Sequence, residues 1–77
     1  MKVTIYTTST CPWCKKTKTF FKENKVKYTE KDVGEDIDAA KKMIEKSGQQ
    51  GVPVVDIDGE IIVGFDENKL RTLLKIK

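Results

Sequence analysis

The chain has 77 residues, 15 lysines and arginines against 12 aspartates and glutamates, a net charge of +3, two cysteines and no histidine. That is room for one small domain, residues 1–77, whose apolar core supplies only about 3–5 kcal/mol of net stability. The composition excludes catalysis by a histidine base and any histidine-built zinc site, and no segment approaches the ~20 apolar residues of a membrane span.

The opening MKVTIYTT passes from one lysine straight into a β-like run. It lacks the apolar stretch of a secretory signal, so a cytoplasmic protein is expected. Lys2 to Tyr6 alternates Val3 and Ile5 with polar residues, a short strand. The stretch TSTCPWCKK follows directly. Thr17, Phe20, Phe21 and Asn24 then recur at i, i+3, i+4 and i+7, which predicts a helix from about Pro12 to Asn24 with both phenylalanines turned inward. Val26 to Val33 is a weaker second strand, carried by Val26, Tyr28 and Val33. Strand, helix and strand in this order imply a parallel pair joined by a right-handed crossover.

A second helix is predicted from about Glu35 to Lys46, with Ile37, Ala40, Met43 and Ile44 on one side and Gly48 as its stop. Val54–Ile57 and Ile61–Val63 flank Asp58-Gly59, a strong hairpin signal. Asp66 can cap a last helix that buries Leu70, Leu73 and Leu74. The order is βαβ, then α, then ββα. It predicts a four-stranded sheet with helices on its faces, around Ile5, Phe20, Phe21, Met43, Ile44, Val55, Ile57, Ile62, Leu70, Leu73 and Leu74. No repeat or low-complexity tract interrupts it.

Cys11 and Cys14 are the most specific feature. A bridge between them would close a very short loop, and crosslink stabilisation grows with loop length, so stapling is a poor reason for the pair. In a reducing compartment such a pair points to catalysis or metal binding. A zinc site needs about four ligands, so only carboxylates or a second chain could complete one. A metal carrier that pools cysteines between two chains therefore stays open as the alternative. At the start of the first helix, Cys11 meets unpaired N–H groups and the positive end of the helix dipole, which favour the thiolate. Pro12 suits the first helical position, and Lys15 and Lys16 add positive charge nearby. Cys11 is the expected nucleophile. Cys14, one turn further in, is expected to resolve the mixed disulfide that Cys11 forms.

Seven lysines fall between Lys15 and Lys31, and Asp32, Glu35, Asp36 and Asp38 cluster after them. They read as a solvated helix face followed by an acidic helix start, or as an attraction for an anionic thiol or acidic partner. Nucleic-acid binding is not expected, because a broad basic surface with base-reading aromatics is missing. In QQGVPVVDIDG, the proline enters a strand at its start, and cis bonds are essentially restricted to X-Pro. Base rates favour trans at Val52-Pro53. If the bond is cis, the Val52 backbone faces the cysteines and can pair with an extended substrate.

CPWC between the first strand and helix, Val52-Pro53 opening the third strand, and Gly64-Phe65-Asp66 before the last helix together make the chain resemble a glutaredoxin of the thioredoxin superfamily. The resemblance covers essentially the whole chain. It implies an α/β, thioredoxin-like fold of glutaredoxin type, a four-stranded mixed sheet with three helices, and a cis bond before Pro53. It also implies a small dithiol thiol–disulfide oxidoreductase acting on protein or glutathione mixed disulfides, with Cys11 as nucleophile and Cys14 as resolving thiol. By the same resemblance Val52 pairs through its backbone with the bound thiol. Asp66, with the N–H groups opening the last helix, holds the charged end of glutathione. Pro12, Trp13, Pro53, Gly64 and Phe65 complete the substrate-binding set, with the Trp13 ring on the surface beside the sulfurs, where glutaredoxins more often have Tyr or Phe.

Three positions depart from the family pattern. Thr8 stands where glutathione-binding members often have Lys, Gly51 where many have Thr, and Gly64-Phe65 where they have Gly-Gly. The Gly-Phe form is similar to that of glutaredoxin-like redoxins, which take electrons from a flavoprotein thioredoxin reductase and supply ribonucleotide reductase. The resemblance thus implies a monomer with no tightly bound cofactor. It takes electrons from glutathione or a flavoprotein reductase, and it acts on disulfide-bearing proteins such as ribonucleotide reductase or a peroxidase. Pro12 weighs against a cluster-carrying role, since cluster-binding relatives usually lack it.

Overall fold

The alternation expected at the amino terminus is realised in β1 (Val3–Thr7) of a computed structural model that describes residues 2–76. Val3 and Ile5 are buried on one face and Tyr6 on the other, so this strand lies inside the sheet. The chain continues through α1 (Pro12–Glu23), β2 (Thr29–Asp32), α2 (Ile37–Ser47), β3 (Val54–Ile57), β4 (Glu60–Val63) and α3 (Glu67–Leu74). The four strands take the order β2-β1-β3-β4. β1 runs parallel to β2 and antiparallel to β3, and β3 pairs antiparallel with β4. This is the expected mixed sheet with three helices.

Each face has its own core. Phe20 and Phe21 of α1 and Leu70 of α3 pack with Val3, Ile5, Val55, Ile57 and Ile62. On the opposite face, Ala39 and Met43 of α2 pack with Tyr6 and Val54. β1 and β3 supply residues to both cores, as strands covered on both faces must. At the β3–β4 turn, Asp58 (φ 51°) and Gly59 (φ 95°) both adopt the left-handed conformation that a two-residue hairpin loop demands. The Gly59 N–H donates to Asp56 Oδ1 at 2.8 Å, and the Lys2 N–H to Asp58 Oδ1 at 2.7 Å.

Two elements differ from the sequence expectation. The second strand starts at Thr29 rather than Val26, because the chain leaving α1 turns at Lys25 (φ 57°) and the Val26 N–H donates back to Phe21 O at 2.8 Å. Val26 and Tyr28 still reach the core, but from a loop. In α2 the buried face is rotated. Ala39 and Met43, an i, i+4 pair, face the sheet, whereas Ile37 is 73% and Ile44 38% exposed. Asp36 caps the helix by accepting the Ala39 N–H at 3.0 Å, so it begins at Ile37 and not at Glu35. Leu73 and Leu74 are only partly buried, at the border of the core.

Two carboxylates tie helices to the sheet, and both titrate below their ordinary range. The Lys18 ammonium, 2.9 Å away, and the Thr7 hydroxyl hold Glu30 down. At Asp56 burial opposes ionisation, but the Lys46 ammonium at 2.6 Å and the Gly59 N–H together outweigh it. A folded pKa below the unfolded one adds stability that is complete above the unfolded value of about 4 and is lost as pH falls through the folded value. The melting temperature should therefore hold steady above about pH 5 and fall below about pH 4. Asp56→Asn should flatten that acid limb. Thermal melts followed by circular dichroism check this, and an equally steep limb in the variant would remove Asp56 from the account.

Candidate active site

The carboxyl end of β1 delivers the chain into Thr8-Ser9-Thr10, and α1 begins immediately after Cys11. Cys11 is extended (φ −90°, ψ 111°) and is the N-cap of α1, with Pro12 in the first helical turn. Its sulfur accepts the Cys14 N–H at 3.1 Å, the place usually taken by a serine or aspartate oxygen. Cys11 is half-buried and open to solvent, while Cys14 is fully buried, and both are free thiols.

Burial of Cys14 sets a division of labour. Its thiol is pushed up to about 12, first by burial, then by the hydrogen bond it shares with Cys11 and by the Cys11 charge. A backbone hydrogen bond from Thr8 and the Lys18 charge work the other way. The proton therefore stays on the inner sulfur.

Facing the cysteines is the loop into β3. The Val52–Pro53 bond is cis, and the Val52 carbonyl accepts from the Cys11 thiol at 3.8 Å. Pro53 is buried, and its carbonyl accepts the N–H of Gly64 (φ 80°) at 2.8 Å, which ties the approach to α3 to this loop. The Gln49 carboxamide spans Gly51, accepting its N–H at 2.6 Å and donating to its carbonyl at 2.9 Å. The Phe65 ring stacks on Trp13 (centroids 6.3 Å, 29° between planes) and stands edge-on to Phe20 at 5.9 Å. Trp13 is 54% exposed, with the Lys16 ammonium 4.6 Å over its ring. Asp66 caps α3 by accepting the Lys69 N–H at 3.2 Å. Pro12 is exposed.

The residues singled out in the sequence thus form linked contacts: Cys11 with Cys14 and Val52, Pro53 with Gly64, Trp13 with Phe65. Sequence reasoning did not find the Gln49 brace, nor the Thr7–Glu30–Lys18 bonds beside α1. The one available signal for the latter was the placement of Lys18 four residues after Cys14. Among the described residues, no three or more His, Cys, Asp or Glu side chains gather as a metal site.

This geometry has counterparts. Residues 3–62 match the family model described as Glutaredoxin. An uncharacterized glutaredoxin-like 8.6 kDa protein in the rubredoxin operon of Clostridium pasteurianum is 42% identical over 73 residues, which is 95% of this chain and 97% of that one. The crystal structure of a mutant of the thioredoxin-like protein BC3987 superposes with a TM-score of 0.94 at 38% identity, covering 99% of this chain and 97% of that one. NrdH-redoxin from Escherichia coli, a glutaredoxin-like protein with a thioredoxin-like activity profile, gives a TM-score of 0.85 at 26% identity, with 95% of each chain covered. With the family pattern spanning β1 to β4 and the two thiols set at the mouth of α1, the chain belongs to the glutaredoxin family.

Proposed function

We propose that this protein is a cytoplasmic, single-domain dithiol oxidoreductase that reduces protein disulfides through a Cys11–Cys14 couple. The observation that supports this most directly is the Cys11 sulfur at the open end of α1, accepting the Cys14 N–H at 3.1 Å with the buried Cys14 thiol beside it. Cys11 as thiolate attacks a substrate disulfide, forming a Cys11–substrate bond and releasing the other substrate sulfur with its electron pair. Cys14, having lost its proton, attacks Cys11; the intramolecular disulfide forms and the second substrate thiolate departs. Two electrons leave the protein, and two protons from the medium convert the product to dithiol. The Val52 backbone orients the incoming chain, Pro12, Pro53 and Gly64 shape the approach, and Trp13 and Phe65 form its apolar wall.

The metal-carrier alternative is not favoured. Cys14 has no exposed surface, so a second chain could share it as ligand only after the first turn of α1 opened.

For the electron donor, a flavoprotein thioredoxin reductase is preferred over glutathione. Phe65 stacks on Trp13 just before α3 where the family pattern has a glycine, Thr8 brings no cation, and Gln49 already engages both backbone groups of Gly51. Ribonucleotide reductase or a peroxidase suits such a carrier as acceptor. Reduced protein mixed with an insulin-type disulfide should lose both titratable thiols, one pair for each substrate bond broken; retention of both thiols would defeat the proposal. With the couple active, turnover driven by thioredoxin reductase should exceed turnover driven by glutathione and its reductase, and the reverse order would reassign the donor.

A further inference from the structure

Among the lysines of α1, Lys15, Lys16 and Lys22 are exposed, but Lys18 is half-buried. It lies one helical turn beyond Cys14, at the i+4 spacing that places two side chains on one flank. Its Nζ is 2.9 Å from Glu30 Oε2 on β2. The same oxygen accepts the hydroxyl of Thr7, a β1 residue only 1% exposed, at 2.8 Å. Three elements therefore converge on one ammonium, carried one helical turn from the buried thiol on the same flank of α1. A partly exposed ion pair contributes little to folding.

We propose that Lys18, held by Glu30 and Thr7, is the cation that supports the Cys14 thiolate in the second half of the reaction. This rests on the dithiol reading above. In the mixed disulfide, Cys11 is neutral. The groups that favour the Cys14 thiolate are then the Thr8 backbone, which hydrogen-bonds it from the β1–α1 loop, and the charge of Lys18 on its own helix, which Glu30 partly offsets. Tyr28 also acts on Lys18, and Lys22 on Glu30. Burial still opposes ionisation, and Lys18 is the one of these supports that a side-chain substitution can remove. The step balances without an outside oxidant: the Cys14 proton passes to water, the Cys14–Cys11 bond forms, the Cys11–substrate bond breaks, and the departing thiolate takes the electron pair. Lys18 keeps its proton throughout; Glu30 and Thr7 are positioning residues.

A symmetrical nitroaryl disulfide separates the two halves, because one coloured thiolate leaves when Cys11 attacks and a second when Cys14 resolves. In rapid mixing, Lys18→Gln should keep the rate of the first release. It should slow the second about 3- to 10-fold at neutral pH and move the pH midpoint of that phase upward. Lys18→Arg, which retains the charge, should restore both. A second phase of Lys18→Gln with parental rate and pH midpoint would overturn the proposal, as would an Arg variant no better than Gln. A parent protein with no first release, or one whose first release survives Cys11→Ser, would instead overturn the dithiol reading itself.

Discussion

Cys11→Ser is expected to reduce disulfide reductase activity to background, a loss on the order of a thousandfold or more. A serine oxygen can fill the N-cap of α1, and serine is among the preferred residues there, so the fold should survive and the loss be chemical. Cys14→Ser should behave differently. Attack by Cys11 proceeds, nothing resolves the product, and the protein accumulates as a mixed disulfide whose added mass is that of one substrate thiol. Activity measured on an insulin-type disulfide, with intact-mass analysis of each variant, checks both outcomes. Parental activity in Cys11→Ser would dispose of the oxidoreductase reading, and a mixed disulfide formed through Cys14 would invert the assigned roles.

Phe21→Ala should cost nearly all of the stability. The ring has no exposed surface, lies 6.1 Å from Phe20 and 5.3 Å from Tyr28 between centroids, and sits in the core between α1, α3 and the sheet. Removing it loses the transfer free energy of the ring and leaves a cavity, together about 3–5 kcal/mol. The net margin of a chain this small is itself about 3–5 kcal/mol, so the variant should be largely unfolded at room temperature. Far-ultraviolet circular dichroism and urea titration measure it. Ile37→Ala, on the exposed flank of α2, is the control and should stay within about 0.5 kcal/mol of the parent. A Phe21→Ala protein with the parental urea midpoint would refute the core assignment.

Much of the fold was legible because local and global signals agree. Phe20 and Phe21 follow the helical period and do turn inward, and Asp58-Gly59 closes the hairpin its identity called for. Where a residue's environment depends on tertiary partners, the pattern misled. β2 reads Thr-Glu-Lys-Asp, a polar edge strand with no fully buried residue, so there was no alternation to detect. In α2 the apolar Ile37 and Ile44 suggested a face that packing against the sheet does not use; Ala39 and Met43 are buried instead, with Tyr6 and Val54. At the site, CPWC and Val52-Pro53 are contiguous in sequence and could be read directly. The stacking of Trp13 on Phe65 joins positions 52 residues apart, and Lys18, Glu30 and Thr7 come from three different elements, so only the folded chain reveals them.

One consequence of the Cys11 cap concerns energy storage. On the proposed function, the atom that exchanges electrons is also the atom that finishes a helix, so redox state and conformational stability belong to one thermodynamic cycle. Whatever the capped, reduced sulfur contributes to folding beyond the disulfide form is subtracted from the protein's willingness to be oxidised, and about 1.4 kcal/mol of such difference moves the couple by roughly 30 mV. Exchanging residues around the first turn of α1 would therefore retune the potential to the extent that it changes the stability of the reduced and the disulfide forms unequally.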